Sequence, residues 1–207
     1  MARPRDDDKK RAILIAAIRL FADEGLGAST ASIARAANVA DGTLFRYFPT
    51  KDHLLNELYS ELKLSLRARL APVSHDTSLR EQLRSAWDVY IDWGFTEPAA
   101  HQVTARLSVS TRISARTRAD AAEAFSDVNS RLKAAVANGP LRRHPTAFAG
   151  ALFAAMADTT LAFIIDTPAE RETLTADGFA AFWSAIGRGN SNVEMPRNSQ
   201  QEKDCIS

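Results

Sequence analysis

Residues 29–55 read STASIARAANVADGTLFRYFPTKDHLL and contain two short helical patterns with an abrupt break between them. Ser29 is placed to cap a first helix over residues 30–37, because a serine oxygen at that position accepts a hydrogen bond from a free backbone N–H. Asn38 ends this helix, since asparagine tolerates the left-handed backbone conformation. The second pattern covers residues 42–48. Two short helices joined by a tight turn predict a helix–turn–helix, which presents one helix to the major groove of DNA.

The flanking residues extend this pattern into a small helical unit. Upstream, a helix with Phe21 on its apolar face ends at Gly25, the residue type expected just after a helix C-terminus. Downstream, Thr50 caps a longer helix that runs to about Leu70. That helix carries leucines at helical spacing: Leu54, Leu55, Leu58, Leu62 and Leu66.

Beyond residue 70 the pattern remains helical. Alternating runs of β-branched residues are missing, whereas Ala, Leu, Arg and Glu dominate. Further helices are predicted over residues 78–95, 98–110, 114–138, 145–165 and 177–187, which gives about nine helices in all. The predicted fold class is therefore all-α. Residues 189–207 are polar and aperiodic, and we expect that tail to be disordered.

The composition limits the classes of function. The 207 residues carry a formal net charge of +1, with 45% hydrophobic and 25% charged residues, as in an ordinary globular protein. This excludes binding to nucleic acid through bulk charge, although a local basic surface can still exist. The single cysteine, Cys205, excludes an intramolecular disulfide and a cysteine-based metal site. The first ten residues, MARPRDDDKK, lack the apolar segment of a secretory signal, so we expect a cytoplasmic protein.

Residues 146–165, TAFAGALFAAMADTTLAFII, are about long enough to cross a bilayer. Asp158 lies in the second half of this stretch, where a carboxylate costs roughly 2.5–3.5 kcal/mol on insertion scales. Alanine, the commonest apolar residue here, contributes little to transfer into lipid. We therefore interpret the stretch as a buried helix and expect no membrane partner.

Several residue types around the two short helices suit contacts with DNA. They are Ser29, Thr30, Gly42, Thr43, Arg46, Tyr47 and Lys51. Hydroxyl and backbone N–H groups at a helix N-terminus favour a phosphate. A glycine early in the second helix lets the backbone approach base edges closely. The alternative is a small three-helix core whose polar residues are only solvated, and spacing alone leaves both interpretations open.

The stretch AILIAAIRLFADEGLGASTASIARAANVADGTLFRYFPTKDHLL, residues 12–55, resembles the DNA-binding domain of the tetracycline-repressor (TetR) family, a likeness that extends over residues 8–68. Matching positions are Ala17, Phe21, Gly25, Ile33, Ala34, Ala37, Val39, Gly42, Thr43, Leu44, Tyr47, Phe48, Lys51 and Leu54. The resemblance implies nine or ten helices: three for DNA, a fourth that links them to the body, and a body that binds an effector and dimerises through its last two helices. Domains are therefore expected at residues 8–68 and 69–188, followed by the tail at 189–207.

The resemblance also implies roles for individual residues. Phosphate contacts fall at Thr30, Tyr47 and Lys51, and base-reading or adjacent positions at Ala31, Asp41, Gly42, Thr43, Phe45 and Arg46. Three positions depart from the family pattern: Asn38 replaces the usual Gly, Ala40 a Ser or Thr cap, and Phe45 the commoner Tyr. Asp41 either caps the second helix late or repels phosphates, so its base-reading role stays open.

The body offers candidates for an effector pocket and a dimer interface. Pocket candidates are Trp87, Tyr90, Trp93, His101, Arg106, Phe125, Phe153 and Met156. The aromatic and methionine side chains are also consistent with plain core, and His101 and Arg106 with a solvated surface or an interface. Interface candidates are Ala147, Ala151, Ala154, Phe179, Phe182, Trp183 and Ile186. Small residues let another helix approach closely, as a four-helix dimer interface needs.

The sequence holds no pattern typical of an enzyme. Its four histidines are scattered without metal-binding spacing, and phosphate-binding or nucleophile motifs are missing. We expect no catalysis, no cofactor and no metal. The expected function is a ligand-responsive repressor that binds a near-palindromic DNA operator as a homodimer and is released by an apolar or aromatic small molecule. An architectural or scaffolding dimer without an effector is the alternative, and the sequence does not separate repression from activation.

Overall fold

The computed structural model describes residues 3–70 and 77–187, and every regular element in those ranges is helical. The α-helices of these ranges are α1 (Arg3–Glu24), α2 (Thr30–Ala36), α3 (Asp41–Tyr47), α4 (Lys51–Arg69), α5 (Leu79–Thr96), α6 (Pro98–Ser108), α7 (Ala115–Ala124), α8 (Ser126–Val136), α9 (Thr146–Asp166) and α10 (Arg171–Ile186). A short 3-10 helix, Pro168–Glu170, precedes α10. The predicted all-α class is confirmed, whereas the predicted disordered tail, with Cys205, lies outside the described residues.

The signals predicted at the end of α1, at both ends of α2 and at the start of α4 are present in the structure. Ser29 Oγ accepts a hydrogen bond of 3.0 Å from the backbone N–H three residues later and so caps α2. Thr50 caps α4 in the same way, also at 3.0 Å. Gly25 has φ 81° after α1, and Asn38 has φ 54° between α2 and α3. These are the left-handed conformations that the two residue types were predicted to supply.

Two helices of the body differ from the prediction. Residues 114–138 form α7 and α8 rather than one helix, because Phe125 leaves the helical conformation at φ −110° and ψ 19°. The last helix begins at Arg171 rather than Asp177. The Arg171 side chain donates a 2.8 Å hydrogen bond to Asp92 and lies 4.4 Å from the Phe95 ring centre. These contacts with α5 stabilise a first turn that has no apolar periodicity of its own.

The buried side chains form two clusters. The first includes Phe21 and Leu54 and continues into α6 through Val103 and Leu107, all four fully buried. The second surrounds Trp87 and joins α5, α8, α9 and α10. Because the first cluster crosses residue 68, the predicted DNA-binding domain shares a core with the body. This shared core holds α6 against α1.

Among the described helices, α9 is the one long and apolar enough to cross a membrane, with a mean hydropathy of 1.8 in its most apolar window. Length and composition alone give this result, and the core helix of a globular protein shares both. One face of α9 packs on α5, α8 and α10. The opposite face exposes Phe148 and Phe163, at 44% and 61%. The described residues leave this outward face of α9 uncovered.

Candidate DNA-contacting surface and ligand cavity

The second helix of the helix–turn–helix, α3, presents one outward face. Gly42, Phe45 and Arg46 lie on it at i, i+3 and i+4 and are exposed, Phe45 at 45%. Leu44 is fully buried and so sets the rotation of α3 on the core. A Cβ atom built on Gly42 would meet nothing within 4 Å. No side chain covers the backbone at the N-terminal end of this face, so another molecule can approach the helix closely there.

The start of α3 carries a carboxylate. Ala40 is the N-cap and offers no side-chain hydrogen bond. Asp41 follows in the first turn, where a negative charge interacts favourably with the helix dipole. It makes no side-chain hydrogen bond within the described ranges, so a late cap is not observed. Asp41 shares a surface cleft between α2 and α3 with Arg35, a cation that the sequence analysis did not select.

The other predicted DNA contacts surround this face. Thr30 and Ala31 begin α2, with Thr30 half-buried and Ala31 exposed. The Ser29 hydroxyl lies 2.8 Å from a second serine hydroxyl as well as capping α2. Thr43 and Tyr47, both half-buried, lie on α3. All of them lie in or beside the helix–turn–helix, as the sequence pattern required.

Lys51 is held more tightly than the sequence suggested. Its Nζ donates to the carbonyl oxygen of Gly27 at 3.0 Å and lies 5.8 Å from the Phe21 ring centre. Burial, followed by the nearby Arg112 charge, lowers the pKa of Lys51. One of the Lys51 N–H donors therefore stabilises the loop between α1 and α2. An ammonium has three donors, so this bond alone does not prevent contact with a phosphate.

A cavity of about 500 Å³ lies in the body. Its wall is formed by Tyr59, Lys63, Leu66, Leu83, Ala86, Tyr90, Arg118, Ala121, Ala122, Phe125, Val128, Asn129, Leu132, Thr146, Ala147, Gly150, Phe153 and Ala154. The size falls in the range typical of small-molecule sites, and most of the wall is apolar, as such sites usually are. The helices α4, α5, α7, α8 and α9 all contribute to it.

The predicted pocket residues divide between this wall and other places. Tyr90, Phe125 and Phe153 line the cavity. Trp87 and Trp93 do not, because both are buried core side chains, at 0% and 1% exposed. Trp87 donates a 3.1 Å bond to a carbonyl of α10 and stacks within the second cluster. Trp87 belongs to the second cluster and Trp93 to the first, so both tryptophans are core rather than cavity wall. Met156 packs on the second cluster as well.

The α4 side of the wall was not among the predicted pocket residues. Tyr59, Lys63 and Leu66 line the cavity from that helix. One signal was present: Lys63 lies four residues after Tyr59 and so shares its face of α4. A charged residue beside an apolar helix face can mark a polar wall of a pocket, but it is also normal for a surface helix.

His101 belongs to a polar cluster behind the cavity. Its Nε2 lies 2.9 Å from Asp158 Oδ1 and 3.2 Å from the Tyr90 hydroxyl, which itself donates to Asp158 at 2.7 Å. Burial, together with the Asp158 carboxylate, raises the pKa of Tyr90, so the phenol stays protonated and remains a donor. The cluster ties α5, α6 and α9 together. It also gives Asp158 on α9 the partner that a half-buried carboxylate needs.

Arg106 lies away from the cavity and contacts α1. Its Nη1 donates to the main-chain carbonyls of Phe21 and Ala22, the latter at 2.9 Å. The pocket role expected for Arg106 is corrected, because its guanidinium is used at the C-terminal turn of α1.

Most of the predicted interface residues face inward. Phe179, Phe182 and Ile186 are each 0% exposed within one protomer, so they are core residues and cannot supply an outer surface. Ala147 and Ala154 line the cavity. Of the remaining two, Ala151 is exposed and Trp183 half-buried. The predicted pattern reflected the inner faces of α9 and α10, which pack on each other, because helical spacing does not distinguish core from interface.

Comparison with known proteins agrees with this arrangement. The family model for bacterial regulatory proteins of the tetR family matches residues 13–58, which contain most of α1 and all of α2 and α3. The crystal structure of a tetR-family transcription regulator from Shewanella sp. PV-4 is 28% identical, covers 86% of this chain and 97% of its own, and superposes with a TM-score of 0.73. The chain belongs to the TetR family. It therefore belongs to a family of transcription regulators.

More distant structures share the fold of this TetR-family protein. A regulator from Marinobacter aquaeolei VT8 has a TM-score of 0.77 at 22% identity, covering 89% of this chain and 98% of its own. NalD from Pseudomonas aeruginosa, the secondary repressor of the MexAB-OprM multidrug efflux pump, has a TM-score of 0.57 at 20% identity, covering 90% and 99%. The likeness in both cases spans the helix–turn–helix and the body together.

Metal chemistry has no candidate in this TetR-family protein within residues 3–70 and 77–187. No group of three or more His, Cys, Asp or Glu side chains in those ranges is placed to hold an ion.

Proposed function

We propose that this TetR-family protein is a homodimeric repressor that binds a near-palindromic operator and is released by a small molecule bound in the cavity. The observation that carries the proposal is the path of α4. This helix begins four residues after α3 ends and carries Tyr59, Lys63 and Leu66 on the cavity wall. A ligand in the cavity would therefore contact the helix that directly follows α3 in the chain and shares the first hydrophobic cluster with it.

In this proposal residues 8–68 form the DNA-binding domain, and residues 69–188 form the body that binds the second subunit. The effector lies between the body and Tyr59, Lys63 and Leu66 of α4. The outward face of α3, with Gly42, Phe45 and Arg46, enters the major groove. Phe45 offers an apolar surface to a thymine methyl group, and Arg46 offers donors to a guanine edge. Thr30, Tyr47 and Lys51 hold the backbone phosphates, as the family resemblance implies, and these contacts set the register without reading sequence.

Dimerisation would use the outward faces of α9 and α10. Small and apolar residues are exposed there: Ala151, Ala155, Ala162 and Phe163 on α9, and Ala180, Ala181 and Ala185 on α10. Two such faces related by a two-fold axis would form a four-helix interface and bury the exposed side of α9. This covering also supports the interpretation of α9 as a helix of a cytoplasmic protein.

Release would follow from a shift between two dimer states. Two recognition helices read successive major grooves when their separation matches one turn of DNA, about 34–36 Å. A ligand that binds the mismatched state more tightly draws the dimer into it. The α4 helix would transmit the shift, because its N-terminal end is joined to the body by an Arg112 to Asp52 ion pair of 2.5 Å.

The test is selection of operators from random duplex DNA by the purified protein at two salt concentrations, followed by sequencing. We expect an inverted repeat to be enriched, and an Arg46→Ala variant to change or lose the preferred bases. Arg116→Ala is the matched control, because that arginine side chain is 91% exposed on α7, outside the helix–turn–helix. Recovery of unrelated sequences by the unchanged protein would refute a sequence-specific regulator.

The alternative is an architectural dimer that binds DNA without an effector. Thermal denaturation across a library of apolar small molecules separates the two, since a sensor is stabilised by the ligand it binds. Transcription in vitro from a promoter that carries the selected operator then separates repression from activation.

A further inference from the structure

Lys63 is an unpaired cation on the cavity wall. Its side chain is half-buried and has no ion pair and no hydrogen bond with any residue of the described ranges. The wall contains no aspartate or glutamate. Its second cation, Arg118, is already used, because its two terminal nitrogens donate to the carbonyls of Ser108 and Ser110 at 2.6 Å each.

The surroundings of Lys63 raise the cost of this isolated charge. Its Nζ lies over the rings of Phe125 and Tyr59, 5.0 and 5.9 Å from their centres, and these cation–π contacts offset part of the cost but supply no counter-charge. Burial lowers the pKa of Lys63, which shows that its charged form is poorly solvated. Asp127, the acidic residue at the start of α8, is held instead by Arg67 and Arg131 at 3.2 and 3.3 Å. An anion that enters the cavity would supply the missing partner.

The rest of the wall limits the shape of that anion. Apart from the cations it is mainly aliphatic and aromatic, with Leu66, Leu132 and Phe153 among its larger members. Such a surface binds an apolar body and leaves a dianion such as a phosphate monoester with one available cation for two charges. Tyr59 lies one turn from Lys63, and its hydroxyl has no partner in the described ranges, so it is a second donor for the same anionic group.

We propose that the cavity binds a monocarboxylate with an apolar aliphatic or aromatic body, and that Lys63 pairs with its carboxylate. This inference rests on the proposed effector function, because it names the chemical class of the ligand for that cavity. A charge-assisted pair in a poorly solvated site is stronger than a neutral hydrogen bond, so the charge should decide between ligands of equal shape.

The experiment is calorimetric titration of the full-length protein with two matched pairs of probes: decanoate and decanol, and naphthoate and naphthylmethanol. We expect at least one carboxylate to bind about tenfold or more tightly than its alcohol. Lys63→Met should abolish this preference, and Lys63→Arg should restore most of it. Lys133→Met is the control, because Lys133 is exposed on α8 and lies outside the cavity wall.

Equal binding of each carboxylate and its alcohol, or a preference that survives in Lys63→Met, would overturn the proposal. Failure of both carboxylates to bind the folded protein would also overturn it. Binding to the selected operator is measured in the same samples. A carboxylate that binds through Lys63 without releasing DNA leaves this inference standing and refutes effector-driven release. If the protein binds the operator but neither carboxylate, this inference is refuted and the proposed DNA binding stands.

Discussion

Arg106 Nη1 lies 2.9 Å from the main-chain oxygen of Ala22, so a helix of the body caps the last turn of α1. No basic residue of α1 itself lies in that turn. A cation near the C-terminal carbonyls of a helix offsets their partial negative charge. Because the first hydrophobic cluster also joins α1 to α6, the two helices are held by polar and apolar contacts together.

Replacing Arg106 with Met should lower the free energy of unfolding by about 1–3 kcal/mol, because carbonyls at the end of α1 lose a charged donor. Urea denaturation measures the change. Arg116→Met serves as the control, since that side chain is 91% exposed and its ion pair within the described ranges is with Asp120 of its own helix. Equal stability of the two variants would show that the contact with α1 contributes nothing.

Gly42→Ala should separate folding from DNA binding. A Cβ at this position meets no atom within 4 Å, and alanine favours a helix over glycine by roughly 0.5–1 kcal/mol. We therefore expect a small gain in stability together with weaker operator binding, because the new methyl group lies where DNA approaches α3. Fluorescence anisotropy with the selected operator measures the affinity. Unchanged affinity would mean that the backbone at Gly42 does not approach DNA.

Gly178→Ala provides the contrasting case for the same substitution. A Cβ on Gly178 would lie 2.9 Å from Trp87 Cζ2 and would also clash with Thr160, where α10 crosses α5 and α9. We expect a loss of about 1–3 kcal/mol in the free energy of unfolding. A neutral result would show that α10 packs more loosely than its contacts indicate.

Asp52 and Arg112 should couple weakly. Their side chains are 61% and 38% exposed, and exposed ion pairs contribute about 0.2–1 kcal/mol. A double-mutant cycle with Asp52→Asn and Arg112→Met measures the coupling energy in low and high salt. We expect it to fall as salt rises. A coupling energy of zero at low salt would remove this pair from the proposed link between α4 and the body.

Lys63→Met should stabilise the ligand-free protein at neutral pH by on the order of 1 kcal/mol, because it removes a poorly solvated charge. Folding lowers the pKa of Lys63, so the unfolded chain binds more protons between the folded pKa and the usual value of 10.5. The destabilisation caused by the buried Lys63 charge is complete below the folded pKa and disappears as the pH rises towards 10.5. The stability difference between variant and unchanged protein should therefore shrink as the pH rises.

Tyr90 lowers the free energy of unfolding as the pH becomes alkaline, whereas deprotonation of Lys63 raises it. The effect of Lys63 is therefore measured as the difference between Lys63→Met and the unchanged protein. The pKa of Tyr90 is raised by folding, so stability declines once the pH exceeds the usual tyrosine value of 10.0. Both proteins share this decline. Thermal denaturation from neutral to alkaline pH gives the difference, and a constant difference would contradict burial of the Lys63 charge.

Lys51→Ala tests the two roles of that lysine. If Lys51 contacts a phosphate, operator affinity falls for all sequences and the slope of log affinity against log salt decreases by about 1. If it only holds the Gly27 carbonyl, stability falls while the slope stays the same. Lys133→Ala, an exposed change on α8, is the control for both measurements.

Local chemistry made the first part of the fold predictable. Ser29, Asn38 and Thr50 act on backbone groups within a few residues of themselves, so their effects can be inferred from spacing alone. The helix–turn–helix followed from those signals. The break at Phe125 was missed, because no proline or glycine marks it and only its backbone angles reveal it.

Long-range contacts decided the rest. Arg106 bonds to Phe21 and Ala22, more than eighty positions earlier in the chain, and no spacing rule connects such residues. Phe179 and Phe182 had the spacing of an interface, yet packing against α5 and α9 buried them. Sequence periodicity shows that a helix face is covered, whereas only the three-dimensional arrangement shows what covers it. Likewise, Lys63 can be seen in the sequence, but only the packing of five helices forms the cavity that it lines.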